Sequence, residues 1–183
     1  GCTGTGTCTV TMDSNPSVVA NFGPAGPTHA LTTSISGMGN VRIDPGGSSC
    51  GGTCTVVYAE GTAVTLTANP VFGFLGWSGA CSGTGSTCTV TMDAAKEVGA
   101  TFSNRLSVSR GGTGGGTVSS RPAGIDCGST CQAYYAPGTA VTLTATPDPS
   151  SVFTGWWGGG CTGTGTCTVT MDSNPSVTAT FTP

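Results

Sequence analysis

Apolar residues in this chain fall at alternate positions over short stretches. Val64, Leu66 and Ala68 share one face of such a stretch and Ala63, Thr65 and Thr67 the other, the period-two signature of a half-buried strand. Val141, Leu143 and Ala145 repeat it. Val90 and Met92, then Val98, Ala100 and Phe102, predict two further strands joined by an Asp-containing turn, and Leu106 with Val108 predicts another. The glycine cluster at 111–116 and the dipeptide Pro137-Gly138 punctuate these runs as turns. No 3.6-residue stripe is long enough to require a helix. The expected fold class is therefore all-β, built from tandem small strand-rich modules, β-grasp-like or small sandwiches, with local disulfides.

The pattern itself repeats, with a period of roughly 79 residues. Ala59-Glu60-Gly61-Thr62-Ala63-Val64 aligns with Ala136-Pro137-Gly138-Thr139-Ala140-Val141, Phe74-Leu75-Gly76-Trp77 with Phe153-Thr154-Gly155-Trp156, and Cys88-Thr89-Val90-Thr91-Met92-Asp93 with Cys167-Thr168-Val169-Thr170-Met171-Asp172. Residues 1–22 repeat 160–181 with two differences, Val19 for Thr178 and Asn21 for Thr180, so they form the back half of a module. The expected division is residues 1–22 as that half, 23–28 a linker, 29–102 the first full module, 103–104 a linker, 105–181 the second full module, and 182–183 the start of the next linker. Because the opening half matches the second module better than the first, the array has a two-module superperiod, Phe22 to Phe181. The sequence reads as a processed chain or a window of a longer one.

Composition narrows the setting. Charged residues make up 7% of the chain, against the quarter or so usual in globular domains, and hydroxyls rather than charges keep it soluble. Thr is also a strand former, so Thr-rich outward faces are explained without attached sugar, and neutral edges are open to pairing with other chains. The net charge of -3 and five basic residues leave no footprint for nucleic acid. No apolar run is long enough for a spanning helix, and no membrane insertion is expected.

Ten cysteines in modules with small cores point to disulfide staples and an oxidising, extracellular or cell-surface location. Spacing alone does not fix the connectivity of four cysteines. The opening half-module keeps Cys2 and Cys8 without the other pair, and local pairing leaves no orphan, so the expected bonds are Cys2 to Cys8, Cys50 to Cys54, Cys81 to Cys88, Cys127 to Cys131 and Cys161 to Cys167. The competing reading is a four-thiolate zinc site, which the loops spanning Cys81 to Cys88 and Cys161 to Cys167 fit poorly. No metal and no cofactor is expected.

Trp77 and Trp156 follow Phe-x-Gly at the same module position and predict core anchors; Tyr58 and Tyr135 also coincide and predict core. Trp157 has Ser78 as its counterpart, and Tyr134 has no aromatic counterpart. These two rings are the candidate binding residues, expected to face outward side by side, where large aromatics make sugar or protein contacts. Asp13, Asp93 and Asp172 recur without the ligand series of a calcium loop and read as turn formers. His29 is the single histidine, and no nucleophile, acid/base pair or carboxylate pair can be nominated, so no enzyme is expected.

The succession Tyr-Ala-Pro-Gly-Thr-Ala-Val-Thr-Leu-Thr-Ala (135–145), Phe-Thr-Gly-Trp (153–156), Cys-Thr-Val-Thr-Met (167–171) and Val-Thr-Ala-Thr-Phe (177–181) resembles the divergent internalin-B-type bacterial repeat. The resemblance covers nearly the whole chain. It implies a compact strand-rich module related to the β-grasp, found in tandem on bacterial surface and secreted proteins, with no catalytic residues to carry over. The expected role is a structural or adhesive repeat forming a stalk, sheath or filament, with a glycan- or protein-binding module as the alternative. Its expected partners are neighbouring copies of the same repeat, in a longer chain or a homopolymer, or in the alternative a glycan or surface protein. The opening half-module sharpens this. Its expected strands, Thr9 to Met12 and Ser17 to Phe22, carry Val10, Met12, Val18, Ala20 and Phe22 on one face without the front half that covers them in the other copies, so this set is expected to pack on a neighbouring repeat.

Overall fold

A computed structural model describes residues 7–11, 13, 17–19 and 26–183. Sixteen strands and no helix are present among them. The first module comprises β1 (Thr28–Ser36), β2 (Gly39–Asp44), β3 (Ser48–Cys50), β4 (Thr53–Ala59), β5 (Ala63–Pro70), β6 (Phe74–Gly79), β7 (Thr87–Thr91) and β8 (Lys96–Phe102). The second repeats it as β9 (Asn104–Gly112), β10 (Gly116–Arg121), β11 (Asp126–Cys127), β12 (Gln132–Tyr135), β13 (Ala140–Pro147), β14 (Val152–Trp157), β15 (Cys167–Thr170) and β16 (Ser176–Thr182).

Each module is a sandwich of two four-stranded sheets, ordered β4-β1-β8-β6 and β3-β2-β5-β7 in the first, β12-β9-β16-β14 and β11-β10-β13-β15 in the second. The small-sandwich alternative is the one observed, and the β-grasp alternative falls because no helix packs across a sheet among the described residues. In both modules the first and last strands pair in parallel, Leu31 to Ser36 beside Lys96 to Thr101 and Ser107 to Gly112 beside Ser176 to Phe181. All other ladders are antiparallel. The strands carrying Val90 and Val98 are joined by the expected turn at Asp93, but that turn crosses from one sheet to the other.

Alternation places Leu31, Val41, Val64, Leu66, Val98 and Phe102 between the sheets of the first module, all at most 2% exposed, and Leu106, Val118, Val141, Leu143, Val177 and Phe181 in the second. The cores are separate clusters. A bulge at Phe74/Gly76, with Gly76 at φ +145°, shifts the register just before Trp77; Gly155, at +147°, does the same before Trp156. A side-chain-bearing residue is strained there, so the Phe-x-Gly-Trp motif is the sequence of this bend. Both indoles are buried and donate their N–H to a loop carbonyl, Trp77 to Gly85 at 2.7 Å and Trp156 to Gly165 at 2.6 Å. The loops supplying those carbonyls are closed by Cys81–Cys88 and Cys161–Cys167. Covalent closure thus holds an acceptor over a ring that would otherwise bury an unpaired donor.

The other pairs, Cys50–Cys54 and Cys127–Cys131, close the short loops after β3 and β11. Thr33, fully buried, donates its hydroxyl toward Cys50 Sγ at 3.2 Å and the Cys54 carbonyl at 3.4 Å. Tyr58 and Tyr135 are buried as expected and direct their hydroxyls to the carbonyls of Pro45 and Pro122. Burial, then the negative charge of Asp44, pushes the Tyr58 phenol above its ordinary pKa.

In the opening half-module the described residues 9–11 and 17–19 carry no strand assignment, and the rest of the two expected strands, Met12 and residues 20–22, lies outside the described residues. The counterpart segments pair with β13, β9 and β14, which belong to the part of a module that precedes or faces them, and both full sandwiches already use those strands internally.

Candidate functional site

Two surfaces stand out, the outward face of the sheet β12-β9-β16-β14 and the junction between the sandwiches. The outward face is a lawn of hydroxyls. Thr178 lies between Trp157 and Ser109 in the ladder, with its hydroxyl 2.7 Å from that of Ser109. Trp157 stands at the edge of this row, 77% exposed, because its neighbour Trp156 takes the inward position and β14 is an outermost strand. The first module has Ser78, Gly99 and Ser34 in the same row, with no ring.

Tyr134 is also exposed on the outward side, but it does not stand beside Trp157. It lies on β12, the opposite edge of the same sheet, so two strands separate the rings. The expectation of one paired aromatic site is corrected by this topology. Tyr134 turns instead to the other module, where its ring centroid is 5.3 Å from that of Phe72. Arg105, its ladder partner, places its guanidinium carbon 5.1 Å from the centre of the Phe72 ring. Phe72 is therefore gripped by an aromatic ring and a cation of the following sandwich, contacts worth about 0.5–1.5 kcal/mol each.

The rest of the junction is equally closed. Ser103 and Asn104 are 5% and 2% exposed. The Ser103 N–H donates to the Gly73 carbonyl at 2.9 Å, and Asn104 Nδ2 donates to the Met171 carbonyl at 2.7 Å, one bond to each module. Arg105 N donates to Asn174 Oδ1 at 2.7 Å. The turn at Pro137 reaches back to the turn between β1 and β2, its Cγ 3.1 Å from where a Cβ on Gly37 would sit. Sequence reasoning missed Phe72 and Arg105. Their signal was present as mismatch, since Phe72 aligns with Ser151 and Arg105 with Ala30.

The remaining expected sites are placed as follows. Cys8 is disulfide-bonded, and Cys2, Met12, Ala20 and Phe22 lie outside the described residues. Val10 is half-buried and Val18 is 58% exposed. The cysteines from Cys50 to Cys167 are oxidised in pairs and offer no thiolate to a metal, and no group of three potential ligands occurs among the described residues. Asp93 is exposed and paired with Lys96, whose hydrogen bond and charge hold its carboxyl below the ordinary 3.8. No helix among the described residues is long and apolar enough to cross a membrane.

No curated protein matches the chain significantly. Among solved structures, the major pilin protein T-13 from Streptococcus pyogenes serotype GAS131465 aligns over 86% of this chain and 97% of its own at 10% identity, with a TM-score of 0.28 that carries no argument. The sequence family is another matter. The model of the divergent InlB B-repeat domain matches residues 40–105, most of the first sandwich without β1, and again 106–183, and the chain belongs to that family.

Proposed function

We propose that the chain is a structural or adhesive segment of an extracellular bacterial array, a stalk, sheath or filament, and that it carries no catalysis. The observation behind this reading is the junction. Two sandwiches are locked end to end by a buried linker and by rings and hydrogen bonds from both sides, as in linear arrays where each repeat is stabilised by its neighbours. The disulfides suit an oxidising exterior. The direct test is immunogold electron microscopy of intact cells with antibody to this chain. Label distributed along surface fibres or stalks is the expected result, and label confined to the cytoplasm would end the reading.

A second reading rests on Trp157. A ring 77% exposed on a hydroxyl-lined sheet is a platform for sugar faces, and it occurs in one module alone. Binding of the purified chain to immobilised polysaccharides, lost in Trp157→Ala, would favour a glycan-gripping module; binding unchanged by that substitution, or none, would remove it.

A further inference from the structure

The array reading leaves one surface unaccounted for, and the internal repeat identifies it. In the first sandwich Gly37 receives the Pro137 turn of the second, at the end where Ile35 N–H bonds the Gly52 carbonyl of the Cys50–Cys54 loop. The second sandwich has the same end. Register equates Arg110, beside Ala179, with Ile35, beside Ala100, and Gly112 and Gly37 both lie against the carbonyl of the last core phenylalanine. At this second end the three atoms nearest a Cβ on Gly112 all belong to Phe181 of the same sandwich, with no counterpart of Pro137 among them. The end opens instead as a cavity of about 450 Å³ lined by Arg110, Gly111, Gly112, Gly114, Cys127 and Cys131.

The turn that would enter has changed in step. Ala136-Pro137-Gly138 is matched in the first sandwich by Ala59-Glu60-Gly61, and the two turns are built alike. Gly61 and Gly138 have φ +79° and +77°, and Thr62 and Thr139 close them on the carbonyls of Ala59 and Ala136. Pro137 is half-buried against its neighbour, whereas Glu60 is exposed. Thus where the internal junction sets Gly37 against a proline, the corresponding outer ends of the two sandwiches carry Arg110 and Glu60. Arg110 donates one N–H to the Gly116 carbonyl at 2.8 Å, which fixes the guanidinium at the cavity and leaves further donors for a carboxylate. Neither residue belongs to an ion pair among the described residues, where the pairs are Arg42–Asp44 and Lys96–Asp93.

We infer that the open end of the second sandwich is the docking surface for the 59–61 turn of a second copy of this chain, with Arg110 of one copy paired to Glu60 of the next. This rests on the array reading and deepens it. It replaces the Phe72–Tyr134–Arg105 grip, whose counterparts Ser151, Val57 and Ala30 form no such cluster, by a charged contact at every second junction. It also explains why the two modules differ at positions that neither core uses.

The test is sedimentation equilibrium of the full 183-residue chain, wild type against Glu60→Arg, Arg110→Glu and the double exchange, with near-UV circular dichroism confirming the fold of each. The wild type should self-associate. Each single reversal should weaken association about tenfold, because it sets like charges together, and the double exchange should restore it to within about threefold. Association should also fall as salt rises from roughly 50 to 500 mM. A wild-type chain that stays monomeric to about 1 mM overturns the inference, as do single reversals without effect or a double exchange that fails to rescue. Any of these alongside gold-labelled surface fibres would leave the array reading standing and sink this contact alone, whereas rescue without fibres would do the reverse.

Discussion

The two sandwiches share most of their core residues and differ at their ends. Leu31 and Leu106, Val64 and Val141, Trp77 and Trp156, and Phe102 and Phe181 fill equivalent sites. Outside the cores the copies part: Phe72 against Ser151, Val57 against Tyr134, Glu60 against Pro137, Ile35 against Arg110 and Ser78 against Trp157. Four of these five pairs supply the ends of the modules. Most core positions have the same neighbours in both copies and keep their residue, Thr33 against Val108 and Ile43 against Ser120 being departures, whereas an end position meets a different neighbour in each copy. Divergence between copies therefore maps contact between copies, and Trp157, alone on a flank, is the exception that suggests a partner of another kind.

The sharpest way to break this comparison is to strike adjacent rings. Trp156→Ala should cost about 3–5 kcal/mol in urea unfolding, since it empties a core site and leaves the Gly165 carbonyl without its donor, while Trp157→Ala should cost under about 0.5 kcal/mol. Comparable losses from both would mean that the flank ring is part of the fold. Next in size is the junction. Phe72→Ala should remove about 1–2 kcal/mol of coupling between the sandwiches, seen as a broader distribution of lengths in small-angle scattering and as less cooperative melting, with the isolated cores unchanged. An equal effect from Ser151→Ala would contradict the alternation of ends.

The smallest effect concerns acid. Asp93 is held below 3.8 by Lys96, and the counterpart of Lys96 in the second sandwich is Pro175, so Asp172 has no such partner. A carboxyl with a lowered folded pKa contributes stability that is present above its unfolded pKa and lost as pH falls through the folded value. The chain should thus lose a small increment of stability below about pH 4, and Asp93→Asn should abolish it, as followed by pH-dependent unfolding. The pair is exposed, and the increment should shrink with added salt.

Much of this was legible in the sequence. Alternation fixed which side chains turn inward, the Phe-x-Gly-Trp motif announced the two core indoles, and the repeat divided the chain. The pairing of β1 with β8 was not legible, because a strand pattern names its faces and not its neighbours, and these two lie at opposite ends of the module sequence. Nor could Val90 and Val98 be assigned to different sheets, since a turn that crosses between layers reads like a hairpin turn. Thr33 looks like an outward residue until its hydroxyl is seen bonding within the Cys50–Cys54 loop. Tyr134 was recognised as exceptional but given the wrong neighbour, because its true one, Phe72, belongs to the other copy.

The parallel placement of the first and last strands has a mechanical meaning. A chain that enters a sandwich along β1 and leaves along β8 comes in at one pole and goes out at the other, and the two strands are joined side by side by the ladder from Leu31/Lys96 to Ser36/Thr101. A pull on the ends of the array draws these strands past each other lengthwise, so the rungs of the ladder are strained together rather than opened one at a time. The second sandwich carries the same arrangement from Ser107/Ser176 to Gly112/Phe181. Each module is thereby a link that resists extension along its own axis, a property suited to a tether under drag.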